Sequence, residues 1–342
     1  MRQNSFRFVC LLFGLSFLGG EMKAQQKSAH ETGLRSKSTS ELAELEQVIT
    51  KVNYDESKVP VYTLPDVLTL TNGRKVTTKK EWVEKRRPEL LRLFETQIYG
   101  KAPVRSKDLH FRLLNEDREA LGGLATRKEV AVYLTKDEKH YLTVLMYLPN
   151  RRKGTVPMFF GINFKGNHAI HPDEGITFPS EERMIAYGRK RMFPRGSAAS
   201  RWPVEMLMEH GYGLATFYRG DIDPDFDDGF QNGVHPLYYK KGQTRPAEDE
   251  WGTLAAWAWG MSCAMDYFET DKDIDAKRIA IFGHSRLGKT TLWAGAIDPR
   301  FALVISNDSG CGGAALSRRK FGETVRAVNC QFTHCLLYTS PS

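Results

Sequence analysis

A serine flanked by two glycines stands at the end of a short apolar run, Ile279 to Phe282. Gly283 lies two residues before Ser285, and Gly288 lies three residues after it. In the related Gly-x-Ser-x-Gly pattern, the serine occupies a strained turn between a strand and a helix, with its hydroxyl exposed for nucleophilic attack. Gly283 lets the strand turn without a clash from a Cβ atom. The spacing predicts that Ser285 is the nucleophile of an acyl transfer; the alternative is an ordinary serine at a helix N-terminus.

The residue after this serine has two ways to stabilise a negative charge. Because the predicted helix begins here, the backbone N–H of Arg286 and the positive end of the helix dipole face the oxyanion that forms during ester hydrolysis. The Arg286 guanidinium adds a fixed positive charge at the same place. We therefore expect a serine site with a cationic oxyanion hole, which requires no metal and no cofactor.

The segments around this site alternate between two patterns. Short apolar runs, typical of strands buried on both faces, occur at 156–162, 213–217, 279–282 and 303–306. Helical stretches are interleaved with them at 203–209, 251–268 and 287–296. This alternation predicts the α/β class, with a mostly parallel sheet covered by helices on both sides as a three-layer sandwich.

The preceding part of the chain has a different texture. Two alternating runs, 129–134 and 140–148, predict a β-hairpin. Upstream, Thr78 and Glu81 form a capping box that opens a short helix, and Pro88 is suited to the first position of a second one. Gly100 is the predicted end of that second helix.

Composition excludes several classes of protein. The 342 residues carry a formal net charge of +8 and are 41% hydrophobic, which is ordinary for a soluble globular protein. The basic residues are spread along the chain without a run of Arg and Lys interleaved with aromatics, so nucleic acid is not the expected partner. The five cysteines lack the spacing of zinc ligands, and whether Cys263 and Cys311 form a disulfide is left open.

The N-terminus predicts export. Arg2 and Arg7 precede an apolar run, and small and polar residues follow up to Ala24, which is the layout of a signal peptide over residues 1–24. The run is too short to span a bilayer, so we expect a periplasmic or extracellular protein without a membrane span. Residues 25–58 are polar and predict a linker or loosely attached arm, before a domain at 59–329.

Several motifs resemble those of the bacterial glucuronoyl esterases, family fifteen of the carbohydrate esterases. The resemblance extends from about Tyr62 to Val325 and is carried by Gly283–Lys289, Asn307–Ala315, Asn163–His168, Arg219–Asp225 and Ser317–Val325. It implies the α/β-hydrolase fold and a secreted serine esterase that cleaves esters of (4-O-methyl)glucuronic acid with alcohols, as in lignin–xylan cross-links. The implied partner is glucuronoxylan or a lignin–carbohydrate ester, and we expect a monomer.

The resemblance also implies roles for individual residues. Ser285 would be the nucleophile and Arg286 the oxyanion-stabilising side chain. Lys289 and Glu323 would bind the sugar hydroxyls of the uronate; without the resemblance, a surface salt bridge is an equal explanation for both. Asp308 would be the acid that orients a catalytic histidine, with a turn residue as the alternative.

The catalytic histidine is the missing part of this prediction. In this fold the chain order is serine, acid, histidine, yet His334 is the only histidine among the 57 residues that follow Ser285. We therefore expect a C-terminally truncated domain that lacks its last strands and the loop of the catalytic histidine, with a non-native tail at residues 330–342. His334 is a candidate for the base, with a structural histidine as the alternative.

Other interpretations remain open. The elbow would also suit another plant-polysaccharide esterase, such as an acetyl-xylan esterase, and without its base the chain would be an inactive remnant that at most binds carbohydrate. A group of aspartates follows the strand at 213–217 and includes Asp221, Asp223 and Asp225. It lacks the glycine and glutamate of an EF-hand, so we interpret it as a solvated or internally hydrogen-bonded loop beside the site.

Overall fold

Seven strands form one sheet in the part of the chain that the computed structural model describes, residues 52–186, 192–226 and 228–322. The strands are β1 (His110–Ala120), β2 (Ala125–Tyr133), β3 (Tyr141–Pro149), β4 (Val156–Asn163), β5 (Gly213–Tyr218), β6 (Ile274–His284) and β7 (Leu303–Asn307). Their order across the sheet is β1-β2-β3-β5-β4-β6-β7.

Helices connect the strands. The α-helices of the described residues are α1 (Lys79–Glu81), α2 (Arg87–Phe94), α3 (Glu181–Ala186), α4 (Val204–Glu209), α5 (Thr253–Phe268) and α6 (Arg286–Ile297). Two π-type segments, Trp82–Arg86 and Glu95–Tyr99, follow α1 and α2. Short 3₁₀ turns occur at Glu56–Lys58, Asn167–Ala169, Ala199–Arg201, Arg219–Asp221, His235–Tyr238 and Ser317–Arg319.

The sheet is mixed, with its parallel part next to the predicted site. Strands β5, β4, β6 and β7 run parallel to one another, whereas β1, β2 and β3 form antiparallel pairs and β3 lies antiparallel to β5. The predicted hairpin is the β2–β3 pair, in which Val130 lies opposite Val144. Because the carboxyl ends of parallel strands meet at one edge, the turns after β4, β5, β6 and β7 are neighbours.

Side chains leave the sheet toward two separate cores. On β3, Met146 belongs to the large core that also contains α5 and α6, while its neighbours Leu145 and Tyr147 belong to a smaller core with α4. Successive side chains of a strand point to opposite faces, so helices cover both faces of the sheet. The predicted three-layer α/β-hydrolase-like architecture is confirmed.

The predicted second helix is α2, which begins at Arg87 with Pro88 as its second residue, and no gap separates it from the first helix. Helical residues run without interruption from Lys79 to Tyr99, and the π-type segment Trp82–Arg86 lies just before the proline. Proline lacks an N–H and its ring clashes with the carbonyl four residues earlier in a regular α-helix. The wider turn gives Pro88 a place inside a continuous helix, which ends as predicted before Gly100, whose φ is 78°.

Two strands differ from the sequence analysis. Strand β1 was not predicted, because its charged sequence lacks a simple apolar alternation. Strand β7 was predicted to be buried on both faces, yet Leu303 and Ile305 are 44% and 39% exposed. Strand β7 pairs only with β6 in the described sheet, and the described elements cover only its side toward α6, where Val304 packs against Gly295.

Both cysteines of the described core are free and buried. Cys263 lies on α5 and Cys311 lies after β7, and no disulfide joins them. Burial raises the pKa of the Cys263 thiol well above its usual value. The sequence analysis left this pairing open, and the structure resolves it as two thiols.

Several predictions lie outside the described residues. These are the signal peptide at 1–24, residues 25–51 of the polar arm predicted at 25–58, and the tail at 330–342. Among the residues that are described, no helix combines the length and the apolar character needed to cross a bilayer.

A buried ion network connects the antiparallel part of the sheet to the strand that carries the site. On β2, the Lys128 ammonium donates to Asp271 (2.8 Å) and Asp273 (2.8 Å), which lie just before β6. The Lys128 and Asp271 side chains are 9% and 5% exposed. Burial alone would raise the pKa of Asp271, but hydrogen bonds from Lys128 and Tyr267 lower it below its usual value of 3.8.

We predict that Lys128→Met lowers the free energy of unfolding by about 3 kcal/mol at pH 7, because it leaves a buried carboxylate without its cation. The control Lys58→Met removes an exposed pair with Asp55 and should leave the unfolding midpoint unchanged. Urea unfolding followed by tryptophan fluorescence measures both.

The loss should also depend on pH. A carboxylate whose pKa is lowered in the folded state stabilises the fold above pH 4, and this stabilisation disappears as the pH falls through the lowered pKa. The difference between wild type and Lys128→Met should therefore shrink below about pH 4. A difference that is constant from pH 7 to pH 3 would contradict an ionic origin.

Candidate active site

Ser285 occupies a strained turn between β6 and α6. Its φ is 55° and its ψ is −127°, a conformation that a residue with a side chain rarely adopts. Its backbone N–H donates to the Asn307 carbonyl at the end of β7 (3.0 Å), and its own carbonyl accepts from the Lys289 N–H (3.1 Å). Strand β7 and the first turn of α6 thus hold the serine backbone on both sides.

Two glycines allow the elements around Ser285 to approach closely. A Cβ on Gly283 would lie 2.2 Å from the Leu287 carbonyl oxygen and 2.5 Å from Thr291 Oγ1, both on α6. A Cβ on Gly288 would lie 3.1 Å from the carbonyl oxygens of Asn307 and Gly283. Gly288, one position later than in the usual pattern, is therefore the residue on α6 that faces the ends of β6 and β7.

Arg286 is the first residue of α6, where the backbone N–H has no partner within the helix. Its guanidinium Nη1 donates to Asp225 Oδ2 (2.6 Å), in the loop after β5. Arg219 Nη2 lies 2.9 Å from the same oxygen. The Phe164 ring, after β4, lies 6.0 Å from the Arg286 guanidinium carbon. Loops from two neighbouring strands thus converge on the predicted oxyanion-stabilising side chain.

The structure brings two further predicted residues to the same edge of the sheet. Lys289 lies one turn beyond Ser285 on α6 and is 5% exposed. Asp308 directly follows β7, next to the Asn307 carbonyl that binds the Ser285 backbone. Its φ is 49°, and its exposed carboxylate makes no hydrogen bond to another residue of the described chain.

The loop after β4 is shaped by buried amides. Asn163 Oδ1 accepts from the Gly166 N–H (2.7 Å), and Asn163 Nδ2 donates to Asn167 Oδ1 (2.8 Å). Gly166 has a φ of 103°, and a Cβ there would lie 2.7 Å from the His168 ring. These contacts fix the loop that carries Phe164 beside Arg286.

The described histidines have other partners than the serine. His284 Nδ1 accepts from Asn307 Nδ2 (3.2 Å), His171 pairs with Glu205, and His235 is buried against Asp223. Within the described ranges, the Ser285 hydroxyl forms no hydrogen bond to a histidine. His334 and the predicted sugar-binding Glu323 lie outside these ranges.

Comparison with known proteins adds to this geometry. A family model described as glucuronyl esterase, fungi, matches residues 206–336. A relative named carbohydrate esterase MZ0003, from an unknown prokaryotic organism, is 53% identical over 289 residues, which are 82% of this chain and 66% of that protein. The solved structure of the glucuronoyl esterase from Solibacter usitatus is 45% identical with a TM-score of 0.77, over 83% of this chain and 73% of that one. The chain belongs to the glucuronoyl esterase family.

This glucuronoyl esterase family member is shorter than the curated relatives it matches. It spans about two thirds of the prokaryotic relative. The 4-O-methyl-glucuronoyl methylesterase 1 of Phanerochaete chrysosporium is 34% identical over 167 residues, which are 46% of this chain and 34% of that protein. The range matched by the fungal family model, residues 206–336, includes the elbow at Ser285.

Three aspartates after β5 have buried side chains, and one of them contacts Arg286, which the sequence analysis did not predict. The side chains of Asp221, Asp223 and Asp225 are 3%, 2% and 8% exposed, so of the two interpretations the internally hydrogen-bonded loop is the correct one. Sequence reasoning missed that Asp225 contacts Arg286. The sequence showed the aspartate-rich motif, but no spacing rule predicts a contact between two residues that lie 61 positions apart.

We predict that Gly283→Ala destabilises the fold and removes the elbow, because the added methyl group would meet the backbone of α6. Thermal unfolding should show a loss of at least about 2 kcal/mol. Gly252→Ala is the matched control: its φ is −96° and its new Cβ would have only the Tyr99 carbonyl within 4.0 Å. Equal stability of the two variants would show that β6 and α6 tolerate a wider separation.

Proposed function

We propose that this chain is a serine carboxylic-ester hydrolase that cleaves esters of glucuronic acid, including its 4-O-methyl form, with alcohols. The observation that carries the proposal is the strained backbone of Ser285, placed directly before a helix whose first residue is Arg286. The relatives support the choice of substrate: one is called a glucuronoyl esterase and another a 4-O-methyl-glucuronoyl methylesterase.

The proposed reaction passes through an acyl-enzyme. Ser285 Oγ attacks the ester carbonyl carbon and gives its proton to a general base, which in this fold is a histidine oriented by an acid. The bond to the alcohol breaks, and the alcohol leaves with that proton. Water then attacks the acyl-serine and releases the uronic acid. We assign the orienting acid to Asp308.

The charges around Ser285 suit this reaction. Arg219, Asp225 and Arg286, which are joined by two ion pairs, together carry a net charge of +1. Fixed positive charge at the site stabilises the tetrahedral oxyanion, and it is worth more in a dry site than in water. We propose that Lys289 and Glu323 also bind the hydroxyls of the sugar.

The setting of the reaction is part of the proposal. The basic and apolar N-terminal sequence supports export to the periplasm or the medium, with cleavage after Ala24. There the substrate would be glucuronoxylan esterified to lignin alcohols. N-terminal sequencing of the exported protein should begin at Gln25, and retention of Met1 would contradict a cleaved signal.

We predict that Ser285→Ala abolishes hydrolysis of benzyl glucuronate, with a loss of at least about 10³-fold in kcat, because the nucleophile of the first step is removed. Liquid chromatography of released benzyl alcohol measures the rate. Ser306→Ala is the control, since among the described residues the hydroxyl of Ser306 donates to the Gly288 carbonyl (3.1 Å) and to no other group. Undiminished turnover by Ser285→Ala would refute the proposed nucleophile.

We predict that Lys289→Met separates a uronate esterase from an acetyl-xylan esterase. Loss of a charged hydrogen bond to the sugar should lower kcat/KM for benzyl glucuronate by about 10- to 100-fold. Hydrolysis of 4-nitrophenyl acetate, which has no sugar, should change less than 3-fold in the same preparation. Equal losses on the two esters, with an unchanged unfolding midpoint, would contradict a sugar-binding role.

A further inference from the structure

One carboxylate joins the predicted oxyanion arginine to a second arginine. Asp225 Oδ2 accepts from Arg286 Nη1 (2.6 Å), and Arg219 Nη2 lies 2.9 Å from the same oxygen. The Asp225 side chain is 8% exposed and Arg219 10%, whereas Arg286 is 23% exposed. The carboxylate thus lies on the protein side of Arg286, and the guanidinium keeps a surface toward solvent.

The loop that carries Asp225 is anchored two residues earlier. Asp223 accepts hydrogen bonds from His235 Nδ1 (3.1 Å) and Thr253 Oγ1 (2.6 Å), and its carbonyl accepts from Trp257 Nε1 (2.9 Å). A Cβ on Gly233 would lie 2.0 Å from Asp223 Oδ1, so the loop closes tightly around this carboxylate. Because Thr253 and Trp257 belong to α5, the backbone near Asp225 is fixed to the core.

Arg219 is held independently of Arg286. Its guanidinium carbon lies 5.7 Å from the centroid of Phe164, 5.8 Å from that of Tyr218 and 5.5 Å from that of Trp257. Aromatic faces attract a cation at such distances. Asp225 thus binds two guanidinium groups at once, and the three groups by themselves sum to a charge of +1.

We infer that Asp225 is a positioning residue for Arg286: it holds the guanidinium beside Ser285 before the substrate arrives. The inference rests on the proposed function. An arginine side chain has many rotamers, and a group that is already fixed where charge develops costs no reorganisation during the reaction. Asp225 supplies that fixation from the loop after β5, and Arg219 contacts the same carboxylate as a second cation.

The test is a double-mutant cycle on benzyl glucuronate hydrolysis with the variants Asp225→Asn, Arg286→Met and both together. Asp225→Asn should lower kcat by about 10- to 100-fold with less than a 3-fold change in KM. Removal of a single oxyanion donor lowers kcat by about 10²- to 10³-fold, and displacement of the Arg286 guanidinium should lower it by a part of that factor. In the Arg286→Met background, Asp225→Asn should have no further effect on kcat. Independent, multiplying losses would overturn the inference.

Asp228→Asn is the matched control in the same loop. Its carboxylate accepts from the backbone N–H groups of Phe230 (2.8 Å) and Asn232 (2.9 Å), so it tests the loop rather than Arg286. Its kcat should stay within 3-fold of wild type. If Asp225→Asn fails to fold, Asp225→Glu keeps the charge and moves it by one methylene; a fall in kcat with constant KM supports the inference, and wild-type kinetics overturn it.

A second readout does not need turnover. Phenylglyoxal modifies accessible guanidinium groups, and peptide mass spectrometry gives a rate for each arginine. Asp225→Asn should speed modification of Arg286 by at least about 5-fold, because the contact that engages one side of the guanidinium is gone, while the exposed Arg118 reacts at its wild-type rate. An unchanged Arg286 rate would overturn the inference. Absence of Ser285-dependent hydrolysis in the wild type would instead refute the proposed function, and the modification rates would still decide the role of Asp225.

Discussion

The strained backbone of Ser285 is the constraint on which the site depends. A residue with a side chain held at φ 55° and ψ −127° costs on the order of 1–3 kcal/mol, and it persists only where the surroundings determine it. Here β7 holds its N–H and α6 holds its carbonyl. A Cβ at Gly283 would meet α6, and a Cβ at Gly288 would lie 3.1 Å from the Asn307 carbonyl oxygen at the end of β7, so the two glycines let β6, α6 and β7 lie this close together. The parallel part of the sheet therefore keeps β6, α6 and β7 in contact at Ser285.

The protein uses buried charge in two different ways. At the start of β6, Lys128 and Arg152 face Asp271 and Asp273, and the four charges cancel. At the end of the parallel strands, one carboxylate, that of Asp225, contacts two guanidinium groups. A balanced network mainly links elements of the fold, because each ion has its partner. A carboxylate shared by two guanidinium groups fixes their positions, which suits a site where negative charge develops.

The pattern of apolar residues predicted the strands and helices whose positions depend on burial in the core. Strands β4, β5 and β6 and helices α4, α5 and α6 were found from hydrophobic runs, and the elbow was found because glycine and serine occupy fixed offsets from a strand end. Strand β1 was missed, since its register depends on pairing with β2 rather than on burial. The contact between Asp225 and Arg286 was missed for a related reason: it depends on two strands being neighbours, which local sequence does not encode.

The two buried thiols have a consequence for handling the protein. With Cys263 and Cys311 unpaired, the described core contains no covalent link that depends on an oxidant. A thiol with a raised pKa is rarely present as the thiolate, which is the form that is alkylated or oxidised. Cys263 is therefore unreactive while the protein is folded. The described core should therefore assemble equally well in a reducing cytosol and in an oxidising compartment, and dithiothreitol should leave its unfolding midpoint where it was.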